Sequence, residues 1–208
     1  MAHEPRRHHH LSRESIARAA LELVDRDGPD ALSLRRLADS LSVGPTNLYT
    51  YYPDRDSIVL GVIALMLAEV EPPDDPELSW EECLHVILAS LREMALRHPR
   101  AFPLVAVASY DEWPLVESDR RLDQIVMDHG APRELYPRLA SVLDSFLTGF
   151  LLLETQALVK PPADAWSPFR DPTSPPPQAA FTVTHSDEAY EEGYRCILAG
   201  FKLVHGLE

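Results

Sequence analysis

From residue 12 onward the apolar side chains of this chain recur in steps of three and four. The recurrence stops at prolines and glycines: Gly28-Pro29, Gly44-Pro45, Pro53, Pro72-Pro73, Pro99, Gly130 and Pro132. Ile16, Ala19, Ala20, Leu23 and Val24 form one stripe. Ile58, Val59, Val62, Ile63, Met66 and Leu67 form a second, and Leu139, Val142, Leu143, Phe146, Leu147, Phe150, Leu151 and Leu153 a third. No stretch alternates apolar and polar residues long enough to make a strand. The expected class is all-α, with about nine helices.

The breaks carry their own chemistry. Ser12 can cap a helix to about Arg26, and Gly28-Pro29-Asp30 ends it. Ser33 caps a short helix over 33–41 that turns Leu34, Leu37, Ala38 and Leu41 inward. Gly44 can cap a third helix with Pro45 as its first residue, where the missing N–H costs nothing. That helix is expected to reach about Tyr52 and to stop before Pro53. Val43, Leu48 and Tyr52 face the core, leaving Thr46, Asn47, Tyr49, Thr50 and Tyr51 outside. Asp54 or Asp56 caps the next helix, to about residue 71. "EPPDDPELS" (71–79) is a loop, followed by helices over about 80–97, 101–110, 114–129, 133–159 and 186–206. Seven prolines between 160 and 185 mark that segment as an irregular loop. The expected domains are 1–56, with residues 1–11 as a flexible arm, and 57–208.

Charge narrows the function. The chain of 208 residues is 45% hydrophobic and 25% charged, with net charge -14. Residues 1–60 hold eight arginines against nine acids, whereas the rest holds 11 basic and 24 acidic side chains. Any nucleic acid would meet the nearly neutral front, and the acidic rear would repel phosphate. No uninterrupted apolar run reaches the ~18 residues of a membrane span, and the start MAHEPRRHHHLSRE lacks the apolar stretch of a secretory signal. A cytoplasmic protein is expected, with Cys83 and Cys196 reduced and buried as small apolar groups. His8, His9 and His10 are adjacent on one segment and cannot all converge on a metal, so no metal site and no cofactor is expected.

Two short helices, 33–41 and 45–52, behind a supporting helix make a helix-turn-helix, whose second helix fits the DNA major groove. Its N-terminus would offer free N–H groups to phosphate. Asparagine can pair with an adenine edge, threonine with a base or a thymine methyl, and tyrosine hydroxyls with phosphate. The run "SIARAALELVDRDGPDALSLRRLADSLSVGPTNLYTYYPDRDSIV" (15–59) resembles the DNA-binding domain of the TetR/AcrR family of transcriptional repressors. Gly28, Ser33, Leu37-Ala38, Val43, Leu48-Tyr49, Tyr51 and Arg55 carry the likeness. The closing "AYEEGYRCILAGFKLVHGLE" is more loosely similar to the last helix of the tetracycline-repressor branch. By position, the resemblance implies that Arg35, Pro45, Thr46, Asn47, Tyr49, Thr50 and Tyr51 face double-stranded DNA and that Arg55 holds a phosphate. Two departures stand out. Ser42 occupies the turn where the family has glycine, which requires serine at positive φ, and no Lys or Arg lies between 44 and 52. Arg6 and Arg7 of the arm could enter a minor groove, or the arm could be a mere tail.

A single head reads too little DNA, since specific sites bury about 1,000–2,500 Å² of protein. The apolar segments 133–159 and 186–206 are expected to pair two copies as a four-helix bundle, with Gly149, Gly193 and Gly200 permitting close approach. The resemblance also implies a small-molecule effector pocket. Its candidates are Trp80, His85, Met94, Phe102, Tyr110, Trp113, Met127, Phe146, Phe150 and Gln156. Asp111-Glu112 before Trp113 reads as a helix cap. The leading reading is a homodimeric repressor released from a pseudo-palindromic operator by its effector. Activator action is open. So is a helical interaction or ligand-binding module with weakened DNA affinity. A helical enzyme using His85 and His98 would need a nucleophile elbow, a metal-spaced cluster or a phosphate loop, and the sequence shows none of these, so no catalytic residue is assigned.

Overall fold

The computed structural model describes residues 11–109, 113–159 and 186–207. Ser12 opens α1 (Arg13–Asp27) with a reciprocal cap. Its hydroxyl accepts from the Ser15 amide at 3.1 Å, and the Ser15 hydroxyl accepts from the Ser12 amide at 2.9 Å. A 3-10 turn over Pro29–Ala31 leads to α2 (Leu34–Ser40), capped by Ser33. α3 (Pro45–Leu48) starts at Gly44, and α4 (Arg55–Leu67) starts at Asp54, whose carboxylate accepts from the Ser57 amide at 2.8 Å. Ser79 and Glu82 cap α5 (Trp80–Arg97) in the same reciprocal way. Then come α6 (Phe102–Ala106), α7 (Leu115–Asp128), α8 (Tyr136–Val159) and α9 (Asp187–His205), the last capped by Ser186. Among the described residues there are nine α-helices and no strand, an all-α fold.

Several boundaries differ from the sequence reading. α3 closes at Leu48 rather than near Tyr52. The amides of Tyr51 and Tyr52 both turn back to the Leu48 carbonyl, at 2.9 Å each, which tightens the last turn just ahead of Pro53. α4 ends at Leu67 and α6 at Ala106, both short of expectation. Cys83 is buried as expected, but Cys196 is exposed on α9. The arm (1–10) and the proline-rich segment (160–185) lie outside the described residues.

α4 is the element around which the others are arranged. Ile58, Val62 and Met66 face α1, where Ile16, Ala20 and Val24 are fully buried; Ile63 and Leu67 join Leu115 of α7 on the opposite side. An apolar helix served from both sides must be enclosed, and no gap in packing separates head from body: one buried cluster runs from α1 to α9. Tyr52 locks the α1–α4 seam. Its hydroxyl donates to the Arg13 carbonyl at 3.1 Å, the Arg13 guanidinium lies 4.7 Å from its ring centre, and the ring passes directly over Gly61.

At the far end α8 and α9 pack together. Phe146 of α8 sits against the α carbon of Gly193, which leaves no room for a β carbon there. Gly193 therefore serves close approach within one copy, whereas Gly149 and Gly200 have open space beside them. Arg92 of α5 ties both helices in place. Its Nε and Nη2 donate to Glu154 of α8 at 3.0 and 2.6 Å, and its Nη1 lies 2.6 Å from Asp187 of α9. Removing one partner of such a buried pair typically costs about 3–5 kcal/mol. By length and composition α8 could also cross a membrane, which is weak evidence; here Leu139, Leu143, Leu147 and Leu151 are buried in the protein instead.

Gly61→Ala would place a β carbon 2.5 Å from the Tyr52 hydroxyl oxygen. The substitution is expected to lower stability by about 1–3 kcal/mol, measured by denaturant unfolding. Adding Tyr52→Phe should restore part of that loss, because the hydroxyl is the atom that clashes.

Candidate nucleic-acid interface and internal cavity

The chain turns from α2 to α3 through Ser42, whose φ is 56°, the left-handed setting that the missing turn glycine demands. The Val43 amide then returns to the Ala38 carbonyl at 3.0 Å, which fixes α3 across α2. Leu48 is fully buried and Tyr52 nearly so, and both hold α3 down. This leaves Pro45, Thr46, Asn47, Tyr49 and Thr50 exposed on one outer surface, while Tyr51 is half-buried against the core. Arg35 is exposed and makes no ion pair among the described residues, in contrast to Arg36, which is 2.6 Å from Asp27. Arg55 is committed elsewhere: Nε donates to the Leu32 carbonyl at 2.9 Å and Nη2 to the Pro29 carbonyl at 3.1 Å. It staples the start of α4 to the turn between α1 and α2. A four-residue α3 also has little dipole to offer phosphate, so the exposed side chains carry the surface chemistry.

Behind the head lies a cavity of about 390 Å³, walled by α4 through Leu67, by α5 through Leu84, Ile87, Leu88 and Leu91, and by parts of α6, α7 and α8. The wall is mostly aliphatic. Its charged members among the described residues are Asp119 and Asp123 on α7 and Asp144 on α8. Ser118, Ser141, Ser145 and Thr148 add hydroxyls. Surrounding protein pushes the Asp119 carboxyl up to about 6, and the negative charges of Asp144 and Asp123 push it the same way. Asp123 is also raised by burial, partly offset by its hydrogen bond with Tyr136.

Residues 16–62 match the family model described as bacterial regulatory proteins, tetR family. Residues 16–62 are thus similar to the DNA-binding part of the tetR family. An HTH-type transcriptional regulator of Saccharopolyspora erythraea is 35% identical over 96 residues, which is 46% of this chain and 41% of that protein. The tetracycline repressor protein class D of Escherichia coli is 31% identical over 90 residues, 42% of this chain and 41% of the repressor. The chain thus spans less than half the length of the curated relatives it matches. Among solved structures, the Streptomyces coelicolor TetR family protein ActR in complex with actinorhodin has a TM-score of 0.68 at 25% identity, covering 94% of this chain and 99% of that one. BioQ with its double-stranded DNA operator has a TM-score of 0.67 at 21% identity, over 92% of this chain and 98% of that one, a likeness of fold.

Of the pocket residues expected from sequence, Phe102 lines the cavity. Met94 is fully buried in the core, and Trp80 and Met127 pack at its edge. His85 hydrogen-bonds the Tyr194 hydroxyl, and Phe150 lies 5.4 Å from the Tyr190 ring, centre to centre, so His85, Phe146 and Phe150 serve the α9 side. Trp113 is exposed and donates to Glu117, Gln156 is exposed, and Tyr110 and the expected Asp111-Glu112 cap lie outside the described residues. The expected set does not converge because aromatic content marks well-packed interior, whereas a cavity arises where helices stand apart. A sequence signal for the real wall existed. Asp144 is the one charge between Arg138 and Glu154, and Asp119 and Asp123 stand four residues apart on α7.

Head and body also meet through His98, just past α5 and mostly buried. One ring nitrogen, Nδ1, lies 2.7 Å from Asp25 of α1, and Nε2 lies 3.1 Å from Glu69, just past α4. The hydrogen bond with Asp25 raises the His98 pKa above its ordinary value; burial opposes this, and the Asp25 charge and Glu69 add to the rise. The other Asp25 oxygen is buried with no partner among the described residues, so a charged imidazolium is its main compensation.

Two pH effects follow, of the same sign. A protonated His98 stabilises fully below pH about 6.5 and loses that stabilisation as pH rises through its elevated folded value. The melting temperature should therefore fall as pH rises above about 6.5, and His98→Gln should flatten that limb. Asp119, raised to about 6, favours the fold when protonated and weighs against it once ionised. Asp119→Asn should therefore melt higher than wild type at pH 7.5 and equal to it below pH about 4.

Proposed function

We propose that this protein is a ligand-responsive transcriptional repressor that binds a pseudo-palindromic operator as a homodimer and lets go when a small molecule enters its cavity. The observation that carries the reading is the pairing of two features through one helix. α4 is stapled to the helix-turn-helix by Arg55 at one end, and at the other Leu67 forms part of the cavity wall. A ligand that fills the cavity meets α4 directly. Any shift there reaches the surface that presents Asn47 and Tyr49. The ligand changes DNA affinity only by binding the two head positions with different free energy.

The pairing surface in this reading is the outer face of α8 and α9, where Val142, Leu153, Leu203 and Val204 are exposed. Large exposed apolar side chains on neighbouring helices suit a two-fold bundle. Two heads about 34–36 Å apart would then address successive major grooves. ActR, bound to actinorhodin in a solved complex, supports a small-molecule role for this architecture. The residence that follows from this role is the cytoplasm. One observation favours the second reading, a ligand-binding module with weakened DNA affinity: no Lys or Arg lies between 44 and 52.

Selection from random duplex DNA, followed by gel shift, separates the two. A repressor yields an inverted-repeat site, and a module with weakened affinity yields none. On the selected site Asn47→Ala should cost about 1–3 kcal/mol and relax preference at one base pair per half-site. Arg35→Ala should weaken binding across sequences and reduce the magnitude of the salt slope by about one per head.

A further inference from the structure

One proton decides how many elements His98 can join. Its backbone closes α5: the His98 amide donates to the Met94 carbonyl at 3.2 Å, and the amides of Ala101 and Phe102 turn back to the His98 carbonyl at 3.0 and 2.8 Å. The ring is thereby fixed to the body, and it reaches out in two directions. Nδ1 meets Asp25 of α1, in the head, and Nε2 meets Glu69, where α4 has entered the body. Both partners are carboxylates, which when ionised only accept. An imidazolium has two N–H groups and serves both. A neutral imidazole has one, so one carboxylate then faces a ring lone pair.

The other charged groups at this junction, among the described residues, are Arg97, which pairs with Glu69, and Arg100, which donates to the Asp25 carbonyl at 3.2 Å. Arginine keeps its charge in proteins, so histidine is the side-chain type here whose charge changes near neutrality. The two arms are unequal. Glu69 has Arg97 whatever the ring does, whereas the second Asp25 oxygen is buried without a partner. The seam between the end of α1 and the end of α5 therefore leans on the ring.

We propose that Asp25, His98 and Glu69 form a proton-operated latch between head and body: an imidazolium holds the ends of α1, α4 and α5 together, and loss of its proton lets the head tilt against an otherwise intact body. The raised His98 pKa agrees with this geometry. Closure favours the proton, so the proton favours closure, and the latch weakens as pH rises through the elevated value. Each unit by which closure raises that pKa is about tenfold in the closing equilibrium. The latch needs no DNA. Where the head binds DNA as proposed above, it lets pH set how freely the two heads adjust to the duplex.

The test follows the full-length protein without DNA. In NMR the His98 ring should titrate above its ordinary value of about 6.5. Spin labels at Asp39→Cys on α2 and Arg138→Cys on α8, both exposed positions, report the head against the body in a Cys196→Ser background, diluted with unlabelled protein. Pulsed electron resonance should give a narrower distance distribution at pH about 6 than at about 9, with the open fraction rising about tenfold per unit of His98 shift while it stays small. A pair within the body, Arg138→Cys with Glu192→Cys on α9, should not change. His98→Gln should show the broad distribution at both pH values, and Glu69→Gln, which leaves the Asp25 arm in place, should lower the ring's midpoint. Thermal melts show whether each variant is folded, and the pH comparison with His98 in place does not depend on these two substitutions. A ring that titrates at or below about 6.5, a head–body distance indifferent to pH, broadening shared by the body pair, or a pH response that survives in His98→Gln overturns the proposal. A working latch in a protein that selects no DNA site upholds the latch while the repressor reading fails. A repressor whose His98 and head–body distance ignore pH does the reverse.

Discussion

α4 has to satisfy two apolar surroundings at once. Ile58, Val62 and Met66 are buried toward α1, and Ile63 and Leu67 toward α7, so two faces of this helix are withdrawn from water, with Val59, Leu60, Ala64 and Leu65 half-buried between them. Each fully buried side chain of this size contributes about 1.5–3 kcal/mol relative to exposure. A helix bound on both sides cannot separate from one without losing much of that. It can slide or tilt within its seat, which costs far less. The head is therefore attached to the body by a dry, continuous seam rather than by a linker.

Polar contacts are placed where the apolar seam cannot give direction. His98 stands between Asp25 and Glu69, so the ends of α1, α4 and α5 share one charged cluster. Arg92 does the same for α5, α8 and α9 through Glu154 and Asp187. The largely buried Arg92–Glu154 pair adds little net stability compared with apolar packing, but it penalises every arrangement that separates the partners. The three aspartates of the cavity are different. Burial and the negative charges of Asp144 and Asp123 disfavour the ionised form of Asp119.

Much of this was legible in the residues because local chemistry decided it. Ser12, Ser33 and Asp54 cap as their side chains allow, and Pro45 opens a helix because its missing N–H falls where no bond is due. The positive φ of Ser42 was expected because the resemblance puts a glycine at that position. The extent of α3 was not legible, because the competition between an α turn and a 3-10 closure on Leu48 depends on how Tyr52 is pulled beneath Arg13. The role of Arg55 was missed for the same reason: its acceptors, Pro29 and Leu32, are more than twenty residues away. The cavity was the largest omission. Leu84, Leu88, Leu147 and Leu151 read as core in any sequence, and only the spacing of the helices turns one side of them into a wall.

The staple at Arg55 has a consequence for how a signal travels. With the guanidinium holding the α1–α2 turn, the helix-turn-helix cannot swivel on the first residue of α4. It is carried as a rigid passenger, much as a clock hand is carried by its spindle. A rotation of α4 too small to disturb its own packing would then be magnified by the distance out to Tyr49, which would travel along an arc rather than deform.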